Sequence, residues 1–77
     1  MSPRQPRLTG MEVIRALKRA GWCFERQHGS HVFLKHPDRL SLRVTIPVHA
    51  GEIIKPKTLR SILKQARLSL REFRELL

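Results

Sequence analysis

Sulfur, aromatic carbon and acid are all scarce in this chain. Cys23 is its one cysteine, tyrosine is missing, and the aromatic residues are one tryptophan and three phenylalanines. A lone thiol excludes an internal disulfide and the zinc sites that need several thiolates. It fits a reducing compartment, and a cytoplasmic location is expected. Nothing approaches the ~20 consecutive apolar residues of a membrane span, so no membrane partner is expected. Met1–Leu8 carries two prolines and two arginines without an apolar run, which does not read as a signal peptide.

The shortage of acid makes charge the dominant signal. Six Asp+Glu face 16 Lys+Arg, for a formal net charge of +10 in 77 residues. Such an excess repels itself in a compact body, and a polyanion relieves it. Nucleic acid, with affinity that falls steeply with salt, is the expected partner class. An acidic protein could use the same surface. The length allows one domain that buries about 60–65% of its unfolded surface. That implies a thin core, about two layers, and a site that is a surface groove rather than a deep cavity.

Residues 1–8 read as a flexible basic arm, with Pro3 and Pro6 resisting helix and Arg4 and Arg7 available to phosphate. Residues 9–77 read as a single domain. Thr9-Gly10-Met11-Glu12 fits a capping box that opens a helix from about Gly10 to Ala20, with Val13, Ile14, Leu17 and Ala20 as its apolar stripe and Gly21 as its stop. Trp22 to Gln27 alternates as a strand with Trp22 and Phe24 on one face. His28-Gly29-Ser30 is a turn, and His31 to Lys35 a second strand. After a turn at Pro37-Asp38-Arg39, Leu40, Leu42, Val44 and Ile46 alternate with polar residues as a third strand, ended by Pro47. A loop from Val48 to Lys55 leads to a helix begun by Pro56 and striped by Leu59, Ile62, Leu63 and Ala66. Ser69-Leu70-Arg71-Glu72 is a second capping box, opening a short helix on which Leu70, Phe73 and Leu77 align. The expected fold is α+β, in the order α-β-β-β-α(-α). Its three strands form an antiparallel sheet with helices on one face, like a double-stranded-RNA-binding domain.

Five blocks then carry a family resemblance. They are Gly21-Trp22, Arg26 to His31, Val44-Thr45-Ile46-Pro47-Val48-His49, Thr58 to Ala66, and Leu68 to Phe73. In this order and spacing they resemble the HicA (YcfA-like) mRNA interferase toxins of type II toxin–antitoxin systems. The resemblance implies a ribonuclease that cleaves mRNA and is neutralised by a HicB-type antitoxin. It places the essential histidine of the Gly-Ser-His motif on His31. The family often has glycine where this chain has Lys57 and Arg67, which bears on two loops and not on the motif. A left-handed Arg67 carries a steric cost, so a different turn is expected there.

RNA supplies its own nucleophile, the 2′-hydroxyl, and cleavage needs proton transfer and positive charge beside the phosphate. Histidine suits either proton role near neutrality. His31 follows a Gly-Ser turn, where backbone can approach a phosphate closely. It is therefore the expected catalytic residue, with Arg26, Gly29, Ser30 and Lys35 as substrate-binding candidates. His28 and His49 are the auxiliary candidates for a second proton, although His49 is first expected to cap the second long helix. With four histidines but no spacing of a compact metal signature, neither metal nor cofactor is expected. Two other readings remain: a non-catalytic RNA-binding module of the same fold, and a DNA-binding regulator using the basic helix face of Lys55, Lys57, Arg60, Lys64 and Arg67.

Overall fold

Two capping boxes and a run of short antiparallel turns set the chain's course. The computed structural model describes residues 5–77, so the first half of the expected basic arm lies outside the described residues. Helix α1 spans Gly10–Arg19; its Thr9 hydroxyl accepts from the Glu12 amide at 3.3 Å, and the Glu12 carboxylate accepts from the Thr9 amide at 2.9 Å. Strands β1 (Cys23–His28), β2 (His31–Lys35) and β3 (Arg43–Pro47) follow, then α2 (Pro56–Ala66) and α3 (Leu70–Arg74). The expected α-β-β-β-α-α order is the observed one. The sheet runs β1-β2-β3, with both pairs antiparallel.

One face of the sheet is apolar and the other is open. Val32 and Leu34 of β2 and Val44 and Ile46 of β3 are buried, and they pack with Val13, Ala16 and Leu17 of α1 and Leu59, Ile62 and Ala66 of α2. Phe73 of α3 is fully buried and Leu77 is exposed, so only part of the expected stripe on the last helix reaches the core. His31, Phe33 and Lys35 point the other way by strand alternation.

Two strands differ from expectation. Leu40 is 77% exposed and lies outside β3, which starts at Arg43. The preceding residues are turns, closed by Arg39 N–H on His36 O at 3.2 Å and Leu42 N–H on Arg39 O at 3.0 Å. The Arg43 guanidinium fastens them, donating to the carbonyls of Leu40 and Leu42 at 2.8 Å each. Trp22 and Phe24 do not share an environment. Trp22 precedes β1 and is buried, whereas Phe24 is 51% exposed. The helices lie over β3 and β2 and leave β1 as an overhang, exposed on both faces.

The borders of the sheet are unequal. Val48 N–H donates to Ser30 O at 2.7 Å, and by alternation the N–H of Thr45 points outward from β3. It is met by the Gln65 side chain of α2 at 2.9 Å. Pro47, the last residue of β3, has no N–H to offer. At the far end of α2, Arg67 takes the left-handed conformation, φ 61 and ψ 36. The turn expected to differ there keeps the geometry of a glycine stop and imposes it on arginine.

Residues 5–8 lie along the helical layer. Ile54 N–H donates to Leu8 O at 2.7 Å, and Leu8 packs partly buried against the core. Thr9 and Ile53 form an isolated bridge beside this bond.

Candidate active site

The open face has three rows, set by the two strand registers. His28, His31 and Pro47 form the first row; Arg26, Phe33 and Thr45 the second; Cys23, Lys35 and Arg43 the third. Residues directly opposite on an antiparallel pair share a face, with Cβ atoms about 4.5–5.5 Å apart. His28 and His31 are therefore neighbours, both exposed, at the mouth of the β1–β2 hairpin. Gly29 closes that hairpin at φ 58, where a side chain is disfavoured, and nothing lies within 4 Å of the place its Cβ would take. Gln27 Nε2 donates to Gly29 O at 3.1 Å, and Ser30 uses its carbonyl on Val48. The backbone of the turn is thus held from both sides.

Arg26 reaches the second row because β1 bulges between Phe24 and Arg26. The bulge turns Arg26 onto the face of Phe33, where its guanidinium carbon sits 4.3 Å from the ring centroid. It also frees Glu25 to span the sheet and hold Arg43 Nε at 2.9 Å. Lys35 has the parity of His31 but stands four residues along β2, about 13 Å away, in the row of Arg43. Of the sequence-predicted residues, Arg26, His28, Gly29, Ser30 and His31 gather at one end, and Lys35 flanks them from the other.

His49 is exposed two residues beyond Pro47 and lines an open pocket with Pro47, Glu52, Lys55 and Thr58. It does not cap α2, whose N-cap position is Lys55 with no side-chain cap bond. His36 lies apart from the others. Its Nδ1 accepts from Asp38 N–H at 3.1 Å, which makes Nε2 the donor to Ala20 O at 3.0 Å. Its ring meets Trp22 edge-on at 5.2 Å. This histidine ties the end of α1 to the β2–β3 turn. Among the described residues, no three His, Cys, Asp or Glu side chains converge as metal ligands.

Phe33 is the residue that composition and spacing left unassigned. Its parity with His31 was its only signal, and the bulge that brings Arg26 over it has no mark in the local sequence.

The family model described as the HicA toxin of bacterial toxin–antitoxin systems matches residues 10–68. The chain belongs to the HicA toxin family. The match runs from the first residue of α1 past the end of α2, so it contains the whole sheet and every residue of the three rows. No curated protein matches this HicA-family chain. As a HicA toxin it works within a toxin–antitoxin partnership. No helix among the described residues is long and apolar enough to cross a membrane.

Proposed function

We propose that this HicA-family protein is an endoribonuclease that cleaves mRNA without a metal, and that a HicB-type antitoxin neutralises it. The observation that carries the reading is the cross-strand pair of His28 and His31 at one end of a basic, open sheet face. Two imidazoles on one face meet the two proton demands of transesterification. His31 takes the proton of the 2′-hydroxyl, and the 2′-oxygen attacks phosphorus. The bond from phosphorus to the 5′-oxygen breaks, and His28 gives that oxygen its proton. The products are a 2′,3′-cyclic phosphate and a 5′-hydroxyl end. Arg26 and Lys35 supply positive charge along the face, and the Gly29-Ser30 turn lets a phosphate approach the backbone. His49, beyond Pro47, is an auxiliary proton carrier from the other side of the first row.

The family supports the toxin role, and the sheet supports a site that a partner can cover, since the candidate residues lie on one uncovered surface. The test is cleavage of a long single-stranded RNA in chelator by the protein and by His31→Ala, with the new ends identified. Cleavage by the native chain alone, leaving cyclic phosphates, supports the reading. Ends carrying 5′-phosphates and free 3′-hydroxyls overturn it. Salt-sensitive binding without new ends assigns the protein to the non-catalytic RNA-binding reading.

A further inference from the structure

The second row of the open face has chemistry that proton transfer does not use. Phe33 is half-buried at the centre of the sheet, and the Arg26 guanidinium carbon sits over its ring, 4.3 Å from the centroid. Arg26 is exposed and has no carboxylate partner among the described residues; the acid next to it, Glu25, is engaged by Arg43. The guanidinium therefore sits over the ring and stays open to solvent. Planar guanidinium groups and aromatic rings are the surfaces on which unpaired bases stack. A guanidinium already held over a ring loses less freedom when a base packs against it than one on a free side chain.

Placement adds to this. Phe33 is two residues from His31 on the same face, about 7 Å along the strand, and Arg26 is the same step from His28. A base on the second row therefore has its own backbone beside the first row, where the two histidines stand. The surroundings suit an anion. The face carries Arg26, Lys35, Arg43, His28 and His31, and its one carboxylate, Glu25, is neutralised. In a duplex both faces of a base are covered by its neighbours, so a stacking platform selects unpaired RNA.

We infer that Arg26 and Phe33 form a base-binding platform, on which one unpaired RNA base stacks so that the adjoining phosphate lies between His28 and His31. The inference rests on the proposed ribonuclease reading and names the form of its substrate. The platform positions the strand; it transfers no proton.

The experiment uses the full chain carrying His31→Ala, so that RNA is bound and not cut. Three changes are made on that background: Arg26→Lys, which keeps the charge and loses the plane; Phe33→Leu, which keeps the bulk and loses the ring; and Arg26→Ala. Affinity is measured for a short unpaired oligoribonucleotide, for the same strand in a duplex, and for versions with one base removed at each position in turn. The native platform should favour the unpaired strand, and one abasic position should weaken it about tenfold. Arg26→Lys should produce a similar loss, and the two losses should not add, because they delete the same contact. A fluorescent base analogue at that position should be quenched by the native platform and not by Arg26→Lys. Circular dichroism of each variant identifies any that has lost its fold, and Arg26→Lys, at an exposed position, then decides alone.

Additive losses, or an Arg26→Lys chain that binds unpaired RNA as well as its parent, overturn the platform. If His31→Ala still abolishes cleavage in that case, the ribonuclease reading stands without the platform. If the native chain binds but never cuts, the ribonuclease reading fails, and the abasic cycle still decides whether the base site exists. Loss of antitoxin binding with unchanged RNA binding in Arg26→Lys assigns the pair to the protein partner and also overturns the inference.

Discussion

Gly21 lies so close to the His36 ring that a Cβ on it would come within 2.7 Å of Nε2. That nitrogen is the donor to Ala20 O, and the residue itself sits at φ 97. Alanine at this position meets two costs, a backbone conformation that side chains rarely adopt and displacement of a ring held from both nitrogens. Gly21→Ala should lower stability by about 2–4 kcal/mol. Gly29→Ala, at φ 58 with open space around it, should lose only about 1 kcal/mol. Urea unfolding of the two variants beside the native chain checks the contrast.

The assignment of separate proton roles to His28 and His31 predicts different rescue. Each alanine variant should lose roughly 10²–10⁴-fold in cleavage rate. A substrate whose leaving oxygen is replaced by a group that departs without a proton should restore His28→Ala and leave His31→Ala inactive. Equal rescue of both variants, or of neither, removes the division of labour.

Arg67 gives a prediction of opposite sign to the glycine variants. It holds φ 61 at the end of α2, with its N–H on Lys64 O at 3.2 Å. The left-handed conformation costs a side-chain-bearing residue roughly 1–2 kcal/mol, part of which glycine gives back through its freer unfolded chain. Arg67→Gly should therefore raise stability by about 0.5–1 kcal/mol, read as a higher urea midpoint with an unchanged slope.

Both capping boxes respond to acid. The Thr9 amide and hydroxyl hold the Glu12 carboxyl below its ordinary value of 4.5, and the Ser69 amide and hydroxyl do the same for Glu72. A carboxyl whose folded value is depressed adds stability above its unfolded value and loses it as pH falls through the folded one. Stability should thus decline as pH falls through 4.5 and below, and the decline should be shallower in the chain carrying both Glu12→Gln and Glu72→Gln. Thermal melts across that range test this, and parallel curves for the two proteins count against it.

The elements most legible in the sequence were those with a local cause. Thr9 with Glu12 and Ser69 with Glu72 write their own helix starts, and the 2.9 Å bonds found at both places follow from residue type and spacing. Gly21 and Gly29 likewise mark turns that need positive φ. What escaped was set by contacts distant in sequence. Leu40 continues the alternation of β3 in sequence, but Arg43 binds its carbonyl and keeps it in a turn. Phe24 alternates as an inward residue, yet it lies on a strand that no helix reaches across. At the site, strand parity was enough to place Lys35 and Phe33 on the face of His31. The placement of Arg26 over Phe33 needed a bulge, an extra residue that breaks the simple alternation on which the sequence reading of β1 relied.

The unequal borders of the sheet make its growth directional. On the β3 side, Gln65 occupies the outward amide of Thr45 and Pro47 has none to offer, so an incoming strand finds two successive ladder positions closed. No described residue pairs with the outer side of β1. A strand added there would lie about 4.8 Å from β1, alongside His28. Anything that lengthens the sheet by backbone pairing therefore arrives next to the histidine pair. On the proposed reading, a chain recruited to the β1 edge and an RNA on the open face would meet at the same end of the molecule, even if they shared no side chain.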